Sequence, residues 1–341
     1  MSKHDIDTQR LGDYLKDYIP GIGDDLQAEK FAGGQSNPTF KLSSGNQQFV
    51  LRRKPKGELL KSAHAVDREF RVISALAGTN VPVPRTYVLC EDDSIIGSMF
   101  YVMEYKEGRI LWDPTLPEIE TPEERASIYD SMNATLAALH NVNVEAVGLS
   151  DYGRPGNYFE RQVSRWSKQY RASEIDTIPD METLMKYLVN NMPPEDGTIS
   201  LVHGDYRLDN MMFAHEKPEV IALLDWELST LGNPIADLAN QCMAWMLPSE
   251  GSMRGLSNVD RVALGIPSNE EYIAKYCERT GRTDIQNWDF YLIFSLFRLA
   301  AIVQGIRKRA QIGTASSAEA DARGDLVYPL AAMGVSLIPR A

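Results

Sequence analysis

The sequence predicts an α+β protein in two lobes: an N-terminal antiparallel sheet with one helix, then a mostly helical C-terminal lobe. Three observations predict it. Strand-like alternation dominates the first hundred or so residues, helical periodicity dominates nearly everything after Glu107, and 341 residues exceed the size at which one core usually divides. The polar stretch Tyr105-Lys106-Glu107-Gly108 marks the change of texture, so the chain divides into 1–105 and 106–341.

Residues 5–19 set Ile6, Leu11, Tyr14, Leu15 and Tyr18 at helical intervals before Pro20-Gly21 stops the run. Residues 30–42 and 47–54 read as the strands of a hairpin joined by Ser43-Ser44-Gly45-Asn46. Residues 64–77 place Val66, Phe70, Ile73 and Ala77 on one helix face, with Glu69 beside it and Gly78 ending it. Two more strands are expected at 85–90 and 98–104. Helices are then expected over 122–140, 158–170, 180–191, 235–246, 269–281, 287–310 and 318–333, interrupted by strand signals only at 200–203 and 220–225. No internal repeat or low-complexity tract is present.

Composition narrows the class. Hydrophobic residues are 43% and charged residues 24%, as in ordinary globular proteins. A formal charge of -12 argues against nucleic acid as a partner, because phosphate neutralisation needs a basic surface. The three cysteines, Cys90, Cys242 and Cys277, are too widely spaced for a zinc ligand set or a disulfide framework, which points to a reducing compartment. The N-terminal residues lack the apolar core of a secretory signal, so a cytoplasmic protein without a membrane partner is expected. The apolar stretch 291–306 carries Arg298 and Gln304, is too short to span a bilayer, and reads as a buried helix.

The chemistry is concentrated in Leu201-Val202-His203-Gly204-Asp205-Tyr206-Arg207-Leu208-Asp209-Asn210 and in Val220-Ile221-Ala222-Leu223-Leu224-Asp225-Trp226-Glu227. Two apolar strands releasing acids from their ends would converge those acids on one point. Asp205 can then orient a hydroxyl or accept its proton, while Asn210 and Asp225 offer the hard oxygen ligands that magnesium takes beside nucleotide phosphates.

These paired motifs resemble the aminoglycoside phosphotransferase and choline kinase group of small-molecule kinases, nearest to the phosphotransferase-like proteins and domains found with acyl-CoA dehydrogenases. His203-Gly204-Asp205 with Asn210 matches the group's H-G-D-x-x-x-x-N loop, and Asp225-Trp226-Glu227 stands where the group has its D-x-D or D-[FW]-E aspartate motif. The resemblance runs from residue 31 to about 309 and implies a bilobal protein-kinase-like fold using ATP and Mg2+. It implies transfer of the γ-phosphoryl group to a hydroxyl of a small metabolite. The association of similar proteins with acyl-CoA dehydrogenases implies a hydroxyacyl-CoA or hydroxy-acid acceptor and an acyl-CoA dehydrogenase association.

The same resemblance implies a nucleotide site at Gly34, Ser36 and Asn37 in a phosphate-covering loop, at Val50 and Arg52 on one strand face, and at Glu69 as the cation's partner. Lys54 shares the parity of Arg52, so either can be the phosphate-binding cation. Met103-Glu104-Tyr105 would connect the lobes and meet the adenine edge. Gly204 where protein kinases carry Arg, and the absence of D-F-G and A-P-E, speak against a protein kinase.

Simpler readings stand beside these. His203 fits a residue that orients the loop better than a chemical participant. Asp237 can tie down the catalytic loop or serve as a first-turn helix acid, and Glu227 can help hold metal or cap its loop. Arg161, Arg165, Trp166 and Arg298 can bind an anionic acceptor or belong to interhelical ion pairs. Three other functions compete: a catalytically silent nucleotide-binding partner of an acyl-CoA-metabolising enzyme, an aminoglycoside- or choline-type kinase, and a metal-dependent hydrolase built on His203, Asp205 and Asp225.

Overall fold

Alternation in the first hundred residues builds a sheet whose two faces are chemically different. The computed structural model describes residues 6–31, 37–55, 65–251, 253–313 and 324–340. Their strands are β1 Gln27–Lys30, β2 Thr39–Ser44, β3 Gln47–Arg53, β4 Thr86–Cys90, β5 Phe100–Glu104, β6 Arg109–Ile110, β7 Ser200–Val202, β8 Met211–Phe213, β9 Val220–Leu223 and β10 Thr230–Gly232. Their α-helices are α1 Thr8–Leu15, α2 Val66–Leu76, α3 Pro122–His140, α4 Tyr158–Ser173, α5 Pro179–Asn190, α6 Ile235–Met246, α7 Arg261–Leu264, α8 Asn269–Thr280, α9 Trp288–Gln311 and α10 Val327–Ser336. Contacts divide the chain into two compact units, 1–110 with 145–149 and 209–229, and 111–144 with 150–208 and 230–341.

In the first unit, five antiparallel strands lie in the order β1-β2-β3-β5-β4. The β2–β3 hairpin turns at Gly45 and Asn46, where Gly45 takes φ 54°, a left-handed value that costs glycine nothing. One sheet face supplies Phe40, Leu42, Phe49, Leu51, Phe100 and Val102 to a core closed by Leu11 and Leu15 of α1. The opposite parity carries Val50, Arg52 and Tyr101, and α2 packs beside β4 and β5 with Glu69 buried among Val66, Val72 and Ile73. The sequence reading of 30–42 as one strand is corrected: β1 and β2 are separate, with residues 32–36 outside the described chain.

A second sheet in this unit has the order β6-β8-β9. Gly108 leads into it where a Cβ would lie 2.5 Å from the Phe213 carbonyl oxygen, so only glycine fits that approach without a shift. The strands β6, β8 and β10, and the short helix α7, were not expected from periodicity.

The second unit is helical around one antiparallel pair, β7 with β10. Strands β7 and β9, expected to release their acids side by side, therefore belong to different sheets. Helix α3 starts where the Thr121 hydroxyl accepts from the Glu124 N–H with Pro122 at its first turn, and α8 starts with a Ser268–Glu271 capping box. Helix α9 packs against α4, α5, α6 and α10. It runs 24 residues and is long and apolar enough to cross a bilayer by length and composition, contrary to the shorter span read from the sequence; 72% of its most apolar window is buried in the fold. Burial makes it a core helix, as the sequence suggested.

Candidate active site

In the first unit, β3 aims Arg52 at two carboxylates. Its Nε lies 2.8 Å from Oε2 of Glu69, and its Nη2 donates to Oδ1 of Asp225 at 2.9 Å. Lys54 instead approaches Asp67 at 3.6 Å, so the pairing with Glu69 belongs to Arg52. Glu69 also accepts from the Asn37 side-chain amide at 2.7 Å and from the Tyr101 hydroxyl at 3.1 Å. Burial pushes the Glu69 carboxyl above its ordinary range, and Arg52 pulls against that shift. Burial likewise opposes charge on Arg52, but Glu69, Tyr101 and Asp225 outweigh it and hold the guanidinium protonated above its usual range.

The β8–β9 pair sets Asn210 and Asp225 near each other. Met211 faces Leu223, and the Leu224 N–H donates to the Asn210 carbonyl at 2.8 Å, so Asn210 precedes one strand where Asp225 follows its neighbour. Asp225 takes φ 61° and ψ 67°, a left-handed conformation unusual for a residue with a side chain. Such a departure is a pointer to function. The turn is held below by Trp226, buried, whose Nε1 donates to the Leu223 carbonyl at 3.0 Å, while Glu227 is exposed. An amide and a carboxylate are hard oxygen donors suited to magnesium. Among the described residues no group of three or more His, Cys, Asp or Glu gathers to cage a metal.

In the second unit, β7 ends at Val202, and the loop that begins at His203 rests on a buried carboxylate. The His203 N–H donates to Oδ2 of Asp237 at 2.6 Å, and the Gly204 N–H donates to Oδ1 at 2.8 Å. Gly204 has φ 83°, which lets the chain turn both N–H groups toward that one side chain. His140 Nε2 lies 3.3 Å from Oδ2 of Asp237, and His140 Nδ1 lies 2.8 Å from the Tyr276 hydroxyl. Burial opposes charge on Asp237, yet His140 and the backbone donors hold its carboxyl below the ordinary carboxylate range. Asp237 thus does more than begin a helix; it anchors the loop.

The Asp205 N–H donates to His203 Nδ1 at 3.2 Å, so that ring nitrogen acts as an acceptor and the histidine orients the loop. Asp205 itself is about one-third exposed, with Arg207 Nε 3.7 Å from its Oδ1.

The remaining expected residues separate. Val50 is buried in β3, and the Glu104 N–H donates to the Arg85 carbonyl at 2.7 Å, which commits a backbone donor expected at the adenine edge. Lys41 Nζ sits 4.5 Å over the Tyr105 ring. Asn37 is fully buried against Glu69, and Gly34 and Ser36 lie outside the described residues. Arg298 donates from Nη2 to the Gly204 carbonyl at 2.5 Å and lies over Trp166, so it braces the same loop. Arg161 and Arg165 line an open groove along α4. Sequence reading missed Tyr101, His140 and Tyr276, whose contacts come from elements distant in the chain.

With this geometry in place, the sequence profile of the phosphotransferase enzyme family matches residues 27–281. The chain belongs to that family. It is 49% identical over 325 residues to acyl-CoA dehydrogenase family member 10 of Mus musculus, covering 94% of this chain and 30% of that protein. The chain thus spans less than half the length of the curated relatives it matches. A crystal structure from Ralstonia eutropha JMP134, provisionally described as an aminoglycoside phosphotransferase, superposes with a TM-score of 0.91 at 49% identity, covering 98% of each chain. The aminoglycoside phosphotransferase APH(4)-Ia, as a thermostable mutant with ADP and hygromycin B, matches at a TM-score of 0.58 and 13% identity over 93% of this chain and 97% of its own. The fold is kinase-like, with the expected N-terminal antiparallel sheet, and family and fold together support a small-molecule kinase.

Proposed function

We propose that this chain transfers the γ-phosphoryl group of ATP to a hydroxyl of a small metabolite, with a hydroxyacyl-CoA or hydroxy acid as the acceptor class. The observation that carries the reading is the Arg52 guanidinium held between Glu69 and the strained Asp225, which gathers in one place a phosphate-binding cation and a carboxylate suited to magnesium. ADP in the matched aminoglycoside phosphotransferase complex supports an adenine nucleotide as donor. The acyl-CoA dehydrogenase names of the relatives support the acceptor class.

In this reading Asn210 and Asp225 hold magnesium, which when bound would neutralise charge on the nucleotide phosphates. Arg52 meets phosphate oxygens while Glu69, fixed by Asn37 and Tyr101, keeps the guanidinium in place. Asp205 orients the acceptor hydroxyl and takes its proton, and His203, Asp237 and Arg298 fix the backbone on either side of it.

Two measurements test this. Phosphorylation assays across hydroxyacyl-CoAs, hydroxy acids, aminoglycosides, choline and sugars should give turnover with the first two; turnover confined to the last three would sink the acceptor class. Asp225→Ala should lose magnesium-dependent ATP binding by calorimetry, and unchanged affinity would remove Asp225 from the metal site.

A further inference from the structure

Helix α4 carries a concentration of positive charge that the loop chemistry leaves unused. Arg161, Arg165 and Lys168 fall at helical spacings of four and three, on one face, and Arg154 joins them from the preceding loop. Together with Ser164 and Glu160 they line an open groove of about 700 Å³. Among the described residues none of the four cations has a carboxylate partner: Arg161 donates to the Arg154 carbonyl at 2.6 Å, and Arg165 lies over the Trp166 ring. This is unusual in a chain with 47 acids to 35 bases.

Two costs make the cluster informative. Like charges at helical spacings repel one another. Arg161 is also the fourth residue of α4, at the end of the first turn, where the helix dipole disfavours a cation. The first N–H of α4, on Tyr158, is already bound by Glu195 at 3.1 Å, so the groove's field comes from side chains. Its only lining acid is Glu160, against four cations.

Beside the groove, and sharing Pro155, Gly156, Asn157 and Glu160 with it, lies a smaller pocket of about 130 Å³ whose wall combines Phe159, Met192, Pro193 and Tyr291 with the carboxylates Glu195 and Asp196. A basic channel adjoining a recess of mixed aromatic, apolar and acidic wall fits a ligand whose phosphates stay at the cations while an uncharged arm enters the recess.

We propose that the α4 groove binds the phosphate-bearing part of an organic acceptor through Arg154, Arg161, Arg165 and Lys168. Calling that ligand the acceptor rests on the phosphotransfer reading; the binding of phosphates there does not. Guanidinium groups give paired donors to phosphate oxygens, and Lys168 adds a point charge.

The experiment titrates coenzyme A, and separately inorganic pyrophosphate, into the wild-type protein and an Arg161→Ala/Arg165→Ala/Lys168→Ala variant, with and without saturating Mg·ADP. Wild type should bind coenzyme A whether or not Mg·ADP is present, and the triple variant should lose at least tenfold in that affinity while its Mg·ADP affinity stays the same. Should the triple variant unfold, Lys168→Glu alone must still weaken coenzyme A severalfold. Coenzyme A affinity unchanged in the variants, or absent in wild type, overturns the groove; pyrophosphate bound as tightly as coenzyme A overturns an organic acceptor there. Failure of Mg·ADP to bind, with coenzyme A still held by the groove, would instead count against the phosphotransfer reading.

Discussion

The turn at Asp225 is held from the side by a long charged side chain, whereas the turn from His203 to Asp205 rests on a buried carboxylate that collects its backbone N–H groups. Arg52 reaches Asp225 at 2.9 Å across 173 positions of sequence. Asp237 receives His203 at 2.6 Å and Gly204 at 2.8 Å and needs no movement of either. The difference separates two tasks. A guanidinium on a flexible stem can exchange a carboxylate for a phosphate, which suits a group that must meet a ligand. A cradle of backbone donors on a buried acid that His140 also holds is fixed from several sides, which suits a loop that must hold one acid in place.

Asp205→Ala tests the cradle without disturbing it. Turnover should fall by about a thousandfold, within the range expected for losing a general base, while Mg·ATP affinity changes less than about twofold. Retained turnover in a single-turnover assay would remove Asp205 from the chemistry. The cradle itself should survive, because its donors are the His203 and Gly204 backbones.

Arg52→Met probes the other arrangement. Glu69 would remain buried with its charge uncompensated, so stability should drop by about 3–5 kcal/mol in urea unfolding, and Arg52→Lys should recover part of it. A loss under about 1 kcal/mol would mean that Asn37 and Tyr101 suffice for Glu69.

The smallest effect is expected at the cradle's anchor. Asp237→Asn presents an amide donor to one backbone N–H, and should cost about 2 kcal/mol at neutral pH. Because the folded pKa of Asp237 lies below its unfolded value of about 4, its stabilisation is complete above that value and disappears as pH falls through the folded one. The gap between wild type and Asp237→Asn in urea midpoints should therefore narrow below about pH 4. A gap that stays constant down to pH 2 would show that the carboxylate charge contributes nothing.

The helices were legible where local signals bound them at both ends. The expected 122–140 and 235–246 coincide with α3 and α6, because Thr121-Pro122 starts one and the chain stops each just past its last buried residues. Strands of two or three residues, β6, β8 and β10, give too little alternation to detect, although Met211-Met212-Phe213 is an apolar triplet. At the site, spacing selected Asp205, Asn210 and Asp225, but could not separate Arg52 from Lys54. Both share a strand face, and the distinction arises from side-chain reach in three dimensions: Arg52 extends to Glu69 and Lys54 to Asp67. His140 was invisible for a similar reason. Nothing near it in sequence forecasts that its ring will lie between Tyr276 and Asp237.

The first unit is assembled from separated pieces of chain, and this matters while the protein is being made. Arg109 and Ile110 reach their partners in Phe213 and Met212 only after the ribosome has added the whole intervening stretch, a wait on the order of 10 s at ordinary elongation rates. The five-stranded sheet can close early, since its strands all precede residue 105. The strands that place Asn210 and Asp225 pair with β6 in a separate sheet and can do so only late, so the nascent chain carries a finished five-stranded sheet followed by an unpaired Arg109–Ile110 segment, open to a chaperone until β8 and β9 emerge.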